Sequence, residues 1–320
     1  MWRELLLLSP VIVCASSACV GDSTTPQQDA STDANPQDAP VDQATPTDGS
    51  TDAPVDAQEA GPFDANYYGN VELWLRADVG TTGDGGGVAT WTDSSSKHRT
   101  VSLPQSDPNC QEAPALVASA IHGLPAVQFD GAFNCLTVSG SFTDFSLGFT
   151  GFVVFQPNTC NSSFTGNSGA LFDSSQEMNF QYSDAIAIGR NWDESANTAS
   201  GDAELFSGTG AVGITGGGSW VPGTADLVEF RLPAASGGSL VGGTAFVNGT
   251  FQNNLNPNGP TIPYYNGNRT TTYIGYHASE TTGDHQLYCG MIGEMIIFSK
   301  GLNDGDRQAV ESYLKTRWQL

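Results

Sequence analysis

The chain has 320 residues, enough for two average domains or for one large β-sandwich. Acidic residues outnumber basic ones 34 to 11, for a net charge of -23, so the clustered Lys and Arg that phosphate binding needs are missing and nucleic acid is excluded as a partner. Four His and six singly scattered Cys, with no C-x-x-C, leave little material for a zinc or redox centre.

Residues 1–18 carry an apolar stretch, Leu5 to Ala15, that is too short to span a bilayer as a helix and is followed by small residues, the pattern of a secretory signal. Ser16-Ser17-Ala18-Cys19 resembles a bacterial lipobox, which implies a lipid anchor on the Cys19 thiol. Ser16 and Ala18 also satisfy ordinary signal cleavage, so free secretion stays open as the other reading. Residues 19–64 form a linker of Asp, Ala, Pro, Thr, Gln and Ser without Lys or Arg, and Asp38-Ala39-Pro40-Val41-Asp42 recurs in it as Asp52-Ala53-Pro54-Val55-Asp56. Like charges and Pro keep such a stretch extended, and it cannot bury a core. A disordered acidic tether is expected there, which favours the anchored reading. Val20 rather than Asp after Cys19 points to the outer membrane or cell surface.

From residue 65 the pattern changes to short apolar strands separated by Gly, Asn, Asp and Ser. Strands are expected at Val71 to Arg76, Val88 to Trp91, Ala126 to Phe129, Cys135 to Val138 and Gly151 to Phe155. Further strands follow at Ala170 to Phe172, Ala185 to Ile188, Leu227 to Leu232, Thr244 to Val247, Tyr273 to Tyr276 and Met291 to Phe298. This spacing predicts an all-β fold, a two-sheet antiparallel jelly-roll sandwich over residues 65–320. Asn248-Gly249 between two strands reads as a tight hairpin turn. Only the end departs: Asn303 caps a helix with Asp306 in its first turn, and Ala309, Val310, Tyr313, Leu314 and Arg317/Trp318 form a helical stripe to lie on the sandwich.

Several motifs occur in a telling order: Leu73-Trp74-Leu75-Arg76-Ala77-Asp78, Trp91-Thr92-Asp93-Ser94-Ser95, and Gly123-Leu124-Pro125-Ala126-Val127-Gln128-Phe129-Asp130-Gly131. Phe246-Val247-Asn248-Gly249, Tyr273-Ile274-Gly275 and Gly290-Met291-Ile292-Gly293-Glu294-Met295-Ile296-Ile297-Phe298 follow. The series resembles the laminin-G-like, concanavalin-A-like lectin-glucanase jelly rolls of secreted bacterial proteins. The resemblance implies two stacked sheets, carbohydrate or protein binding, and in some relatives a calcium ion at the sandwich rim.

The residues themselves point away from a reaction. No strand carries the Glu-x-Asp-x-x-Glu run of the related glucanases. Asp193-Glu194 point to opposite sides, and Asp202-x-Glu204 sits in a loop-like Gly/Ala/Ser stretch. His277 beside Tyr276, and His285 near Tyr288, lack a supporting Arg/Gln cluster for lyase chemistry. No Gly-x-Ser-x-Gly elbow occurs, and the Gly83 to Gly87 run reads as a flexible loop. Asp93 and Asp130 read as turn formers before metal ligands, and Glu294 as a carboxylate hydrogen-bonded into the fold. No cofactor is required, calcium being the one that the Asp/Asn-rich loops leave open.

Cys110, Cys135, Cys160 and Cys289 are expected to form two disulfides in an exported domain; three pairings are possible, of which Cys110 with Cys135 is a local clip. Sugar contacts would come from loop rings beside amides or acids: Trp192, Tyr264 and Tyr265, with Trp220 a weaker case. The expectation is a non-catalytic, surface-anchored module that binds a polysaccharide or glycoprotein and meets the membrane only through its lipid. A passive adhesive lipoprotein and a polysaccharide-cleaving enzyme on the same fold are the alternatives.

Overall fold

The computed structural model describes residues 62–83, 87–108, 110–142, 144–159, 169–175, 186–190, 202–207, 210–214, 219–234, 239–240, 242–255, 262–263, 271–277 and 286–320. The expected signal, Cys19 and nearly all of the acidic linker lie outside these residues, as does the centre of the Gly83 to Gly87 run. Among the described residues the fold is the expected one, two antiparallel sheets of eight and nine strands with a single α-helix at the end, Asp304–Trp318.

The first sheet is organised by Cys289–Phe298. Phe149–Pro157 pairs along one edge of this strand, and the other edge is shared by Val71–Arg76 and Leu124–Asp130. Side chains alternate across a strand, so its two faces can serve two cores. Ile292, Met295 and Ile297 meet residues of the second sheet, including Trp91, Leu136, Phe172 and Ile188. Ile296 and Phe298 face the opposite way, into a second cluster with Phe152, Val154 and the helix residues Val310, Leu314 and Trp318. Each such aliphatic or aromatic side chain, fully buried, contributes about 1.5–3 kcal/mol of transfer free energy. The molecule is therefore layered as helix, first sheet and second sheet, with an apolar core in each gap.

The alternation slips once. Register is shifted between Ile292 and Glu294, so Gly293 is an extra residue that keeps Met295 and Ile297 on the inner face. A Cβ on Gly293 would lie 2.4 Å from Trp318 Cη2, and only glycine lets the indole settle flat against the bulge. Trp318 and the sheet are joined through Glu294. Its Oε1 accepts from Trp74 Nε1 at 2.8 Å and from the Tyr313 hydroxyl at 2.9 Å, while Oε2 accepts from Trp318 Nε1 at 3.0 Å. Arg317 Nε lies 3.2 Å from the same carboxylate, an ion-pair distance without hydrogen-bond alignment. Burial raises the Glu294 carboxyl above its ordinary range, and the three donors pull it back. Glu294 is thus hydrogen-bonded into the fold, as its position in an apolar strand suggests.

The helix begins at Asn303, whose side chain accepts from Asp306 N at 2.8 Å. Its buried positions are Arg307, Val310, Leu314 and Trp318, whereas Ala309 is exposed, a correction to the expected stripe. Arg307 takes the inward slot because it has partners there: Glu229 at 2.9 Å, Glu311 at 2.5 Å and the ring of Phe246, 3.9 Å from the guanidinium carbon. The Asn248-Gly249 hairpin adopts positive φ at both residues, 49° and 78°, and hands the Asn248 carbonyl to Lys315 Nζ at 2.7 Å. Cys110 and Cys135 are disulfide-bonded with Cα atoms 5.2 Å apart. Cys289 is disulfide-bonded as well, and Cys160 lies outside the described residues.

Glu229 sits under the helix with one carboxylate oxygen, Oε1, buried and unpartnered, while Arg307 is shared with Glu311. Burial pushes the Glu229 carboxyl up to about 8, against the pull of Arg307. A carboxyl whose folded value exceeds its unfolded one binds its proton more tightly in the native state. Its contribution is therefore complete below about pH 4.3 and is lost as the pH rises through the folded value. Unfolding free energies from denaturant titration should fall between about pH 5 and about pH 8, by up to about 1.4 kcal/mol for each unit of separation. Glu229→Gln, which cannot titrate, should flatten that slope; an unchanged slope would assign it to another group.

Candidate functional site

A polar cavity of about 400 Å³ opens at one end of the sandwich, where Val71 pairs with Phe298. Three loops and one strand end build it. The first wall is the 3-10 turn Ala65–Tyr68 and the bend Gly69-Asn70 that leads into Val71–Arg76. Asn70 has φ 56°, a left-handed conformation that an amide side chain tolerates better than most.

The second wall, Ser96 and Lys97, is placed by Asp93. Oδ1 of Asp93 accepts from Trp74 N and Ser95 N, both at 2.8 Å. Its Oδ2 accepts from the Ser95 hydroxyl at 2.6 Å and Arg99 N at 3.2 Å. One carboxylate thus closes the 93–99 turn and ties it to the neighbouring strand. Asp130 works alike, its Oδ1 accepting from the backbone N–H groups of Ala132, Phe133 and Asn134. Both are turn formers.

The third wall is the loop Asp144 to Leu147, in which Asp144 Oδ1 accepts from Ser146 N at 3.0 Å and the buried Phe145 packs edge-on against Phe149. Leu147 remains 57% exposed at the mouth, and nearby Tyr67 is 87% exposed on the 3-10 turn.

The floor is charged but balanced. Glu72 is 1% exposed, with Oε2 accepting from Arg99 Nη2 at 2.8 Å and Oε1 from the Ser299 hydroxyl at 3.0 Å. Arg99 also donates to the carbonyls of Glu72 and Ser141 and lies over the Phe142 ring, 4.5 Å from its centre. Next to Ser299, Lys300 Nζ donates to the Tyr68 carbonyl. Lys97, Arg99 and Lys300 are three of only eleven Lys and Arg residues in the chain, gathered at one end. Such a cavity offers amide, hydroxyl, ammonium and carboxylate groups beside exposed apolar surface, the mixture that fixes a small polyhydroxylated ligand.

A second cluster lies on the second sheet. Asp173 is fully buried; its Oδ2 lies 2.5 Å from His277 Nδ1, and its Oδ1 is unpartnered. Beside it the Tyr273 hydroxyl donates to Asp107 Oδ2 at 2.9 Å, and burial together with Asp107 pushes that phenol well above its ordinary range. His277 is therefore an aspartate partner, and Tyr288 is a core ring whose hydroxyl donates to the Met291 carbonyl at 3.1 Å. Glu204 was expected in a loop; it lies within the strand Ala203–Ser207 and is 1% exposed.

Of the expected contact residues, Trp192, Tyr264 and Tyr265 lie outside the described residues. Trp220 is core, packed on Phe155 and Tyr288. Asn70, Lys97, Asp144 and Ser146 were missed. They come from three separate loops, and the Gly69-Asn70 pair, typical of a left-handed bend, is the one local signal among them.

No protein-family model matches the chain, and no curated protein matches it. Solved structures to which it is similar include a Trypanosoma rangeli sialidase in complex with sialic acid, at 13% identity and a TM-score of 0.44, covering 76% of this chain and 32% of that one. An arabinofuranosidase complexed with arabinofuranosyl-alpha-1,2-xylobiose gives 10% identity, a TM-score of 0.45 and coverage of 71% and 50%. A structure of botulinum neurotoxin type C, whose cell entry depends on two ganglioside molecules, gives 13% identity, a TM-score of 0.45 and coverage of 78% and 53%. The chain thus spans between a third and about half of those chains. Enzymes stand among them, and the expectation that this chain is not an enzyme is corrected accordingly. Paired carboxylates on one strand are not the one arrangement by which this fold can assemble reactive groups. A sandwich brings ionisable groups together from distant strands, as Asp173 and His277 show across 104 positions.

The floor pair makes a direct test of the cavity's construction. Arg99→Leu removes the guanidinium that pairs with the buried Glu72 carboxylate, and should cost about 3–5 kcal/mol in denaturant unfolding. A loss below about 1 kcal/mol would mean that the pair is solvated and the floor is open.

Proposed function

We propose that this is an exported, surface-held saccharide-binding module on a laminin-G-like jelly roll, and that the polar cavity at the end of the sandwich is where a sugar residue sits. The observation that supports it is the cavity itself: a volume suited to one or two sugar rings, neutralised charge at the floor, and the Asn70 carboxamide, the Ser96 and Ser146 hydroxyls and the Lys97 ammonium at its walls. Among the described residues these polar groups make no side-chain hydrogen bond, so they can exchange water for sugar hydroxyls at little cost. The Leu147 side chain supplies the apolar edge. Trp192, Tyr264 and Tyr265 remain proposed as further ring contacts.

In this proposal residues 1–18 are an export signal, Cys19 is the lipid-anchor position, residues 19–64 are an acidic linker and residues 65–320 are the binding domain of an outer-membrane or cell-surface lipoprotein. The Cys110–Cys135 disulfide supports export, since such bonds persist in oxidising compartments. Among the described residues no helix is long and apolar enough to cross a membrane.

Two measurements test this reading. On a glycan array the full chain should retain at least one saccharide, and Asn70→Gly, which removes the amide but keeps the left-handed backbone, should weaken that binding about tenfold with an unchanged melting temperature. No retained glycan from a folded protein would favour a passive adhesive role. Separately, Cys19→Ala should move the protein from the detergent-extracted membrane fraction to the medium; an unaltered distribution would remove the anchor.

A further inference from the structure

We propose that the sugar taken by this cavity is acidic, its carboxylate held by Lys97; this deepens the saccharide reading and rests on it. The chain carries about three acids for each base, and among the described side chains nearly every cation is already committed. Arg76 pairs with Asp78, Arg231 with Asp304, Arg307 with Glu229 and Glu311, and Arg317 with Asp78. Lys300 and Lys315 donate to the carbonyls of Tyr68 and Asn248. Among the described side chains, Lys97 is the one Lys or Arg that makes neither an ion pair nor a side-chain hydrogen bond, and it stands in the wall of the cavity.

The carboxylates in the same cavity do not take its place as partner. Glu72 is closed off at the floor by Arg99 and Ser299, and Asp144 turns one oxygen to the Ser146 backbone. Neither carboxylate forms an ion pair with Lys97, which stands on the 93–99 turn closed by Asp93. Arg99 is paired with Glu72 and Lys300 donates to a backbone carbonyl, so the Lys97 ammonium is the cation of this end that no side chain neutralises. Ammonium, amide and hydroxyl groups converge there on the donor set that a sugar carboxylate and its ring hydroxyls require. An amino sugar would meet Lys97 with like charge, and a neutral sugar would leave the ammonium unused.

The test compares sugars that differ only at C6: methyl glucuronide with methyl glucoside, and methyl galacturonide with methyl galactoside, titrated calorimetrically into the full chain. At least one acidic sugar should bind about tenfold more tightly than its neutral twin. That advantage should disappear in Lys97→Met, return in Lys97→Arg, and shrink as ionic strength is raised from about 0.01 M to about 1 M. Lys97 is exposed, so melting temperatures should not move. If the neutral twins bind as tightly and Lys97→Met changes nothing, the acidic assignment fails while the saccharide reading stands. If no sugar of either pair binds the folded protein, both fail.

Discussion

A strand buried on both faces has no side on which to put a charge, and Cys289–Phe298 is such a strand with Glu294 in its middle. An ionised carboxylate there survives only if donors come to it. They come from three places: Trp74 on the adjacent strand, and Tyr313 and Trp318 on the helix, with Arg317 alongside. The constraint thus dictates which side chains the helix presents, and Gly293 supplies the gap in which the Trp318 ring can reach its acceptor. Helix, central strand and first strand are held in one arrangement because a single buried group needs all of them.

The cavity inherits its position from that frame. Val71–Arg76 is fixed against the central strand, so Asn70 at its start and Glu72 within it are fixed too. The central strand runs on into Ser299 and Lys300, which complete the floor and brace the Tyr68 turn. Against this rigid base, turn chemistry does the local shaping: Asp93 and Asp144 each use a side-chain oxygen to fold the few residues that follow. Groups that would contact a ligand therefore sit on short, well-braced loops.

What could be read from the amino-acid order alone was whatever depended on near neighbours. Short apolar runs marked Val71–Arg76 and, as Ala126 to Phe129, the middle of Leu124–Asp130; Asn303 with Asp306 marked the helix start, and Asn248-Gly249 marked a hairpin. Asp93 and Asp130 were legible as turn formers for the same reason. Arg307 was not legible as a buried helix residue, because its reason for turning inward is Glu229, 78 positions away. Glu204 looked like loop because Gly, Ala and Ser around it carry weak strand propensity, and strand pairing overrides that. The convergence of Asn70, Lys97 and Asp144 is a property of folded loops, and no spacing along the chain announces it. Trp220 showed the converse: a ring in a turn-rich stretch that the core claimed.

The pairing of Val71–Arg76 has a temporal meaning. Its one hydrogen-bonded neighbour in the sheet is Cys289–Phe298, and Trp74 reaches Glu294 across 220 positions. Closing so long a loop is entropically slow, and none of it can begin while the chain is still emerging. The first strand made must wait for the last one, and the helix that seals them is made after both. Until that moment the first sheet has no finished core, so a late-closing topology of this kind gains its resistance to unfolding in one final step rather than piece by piece.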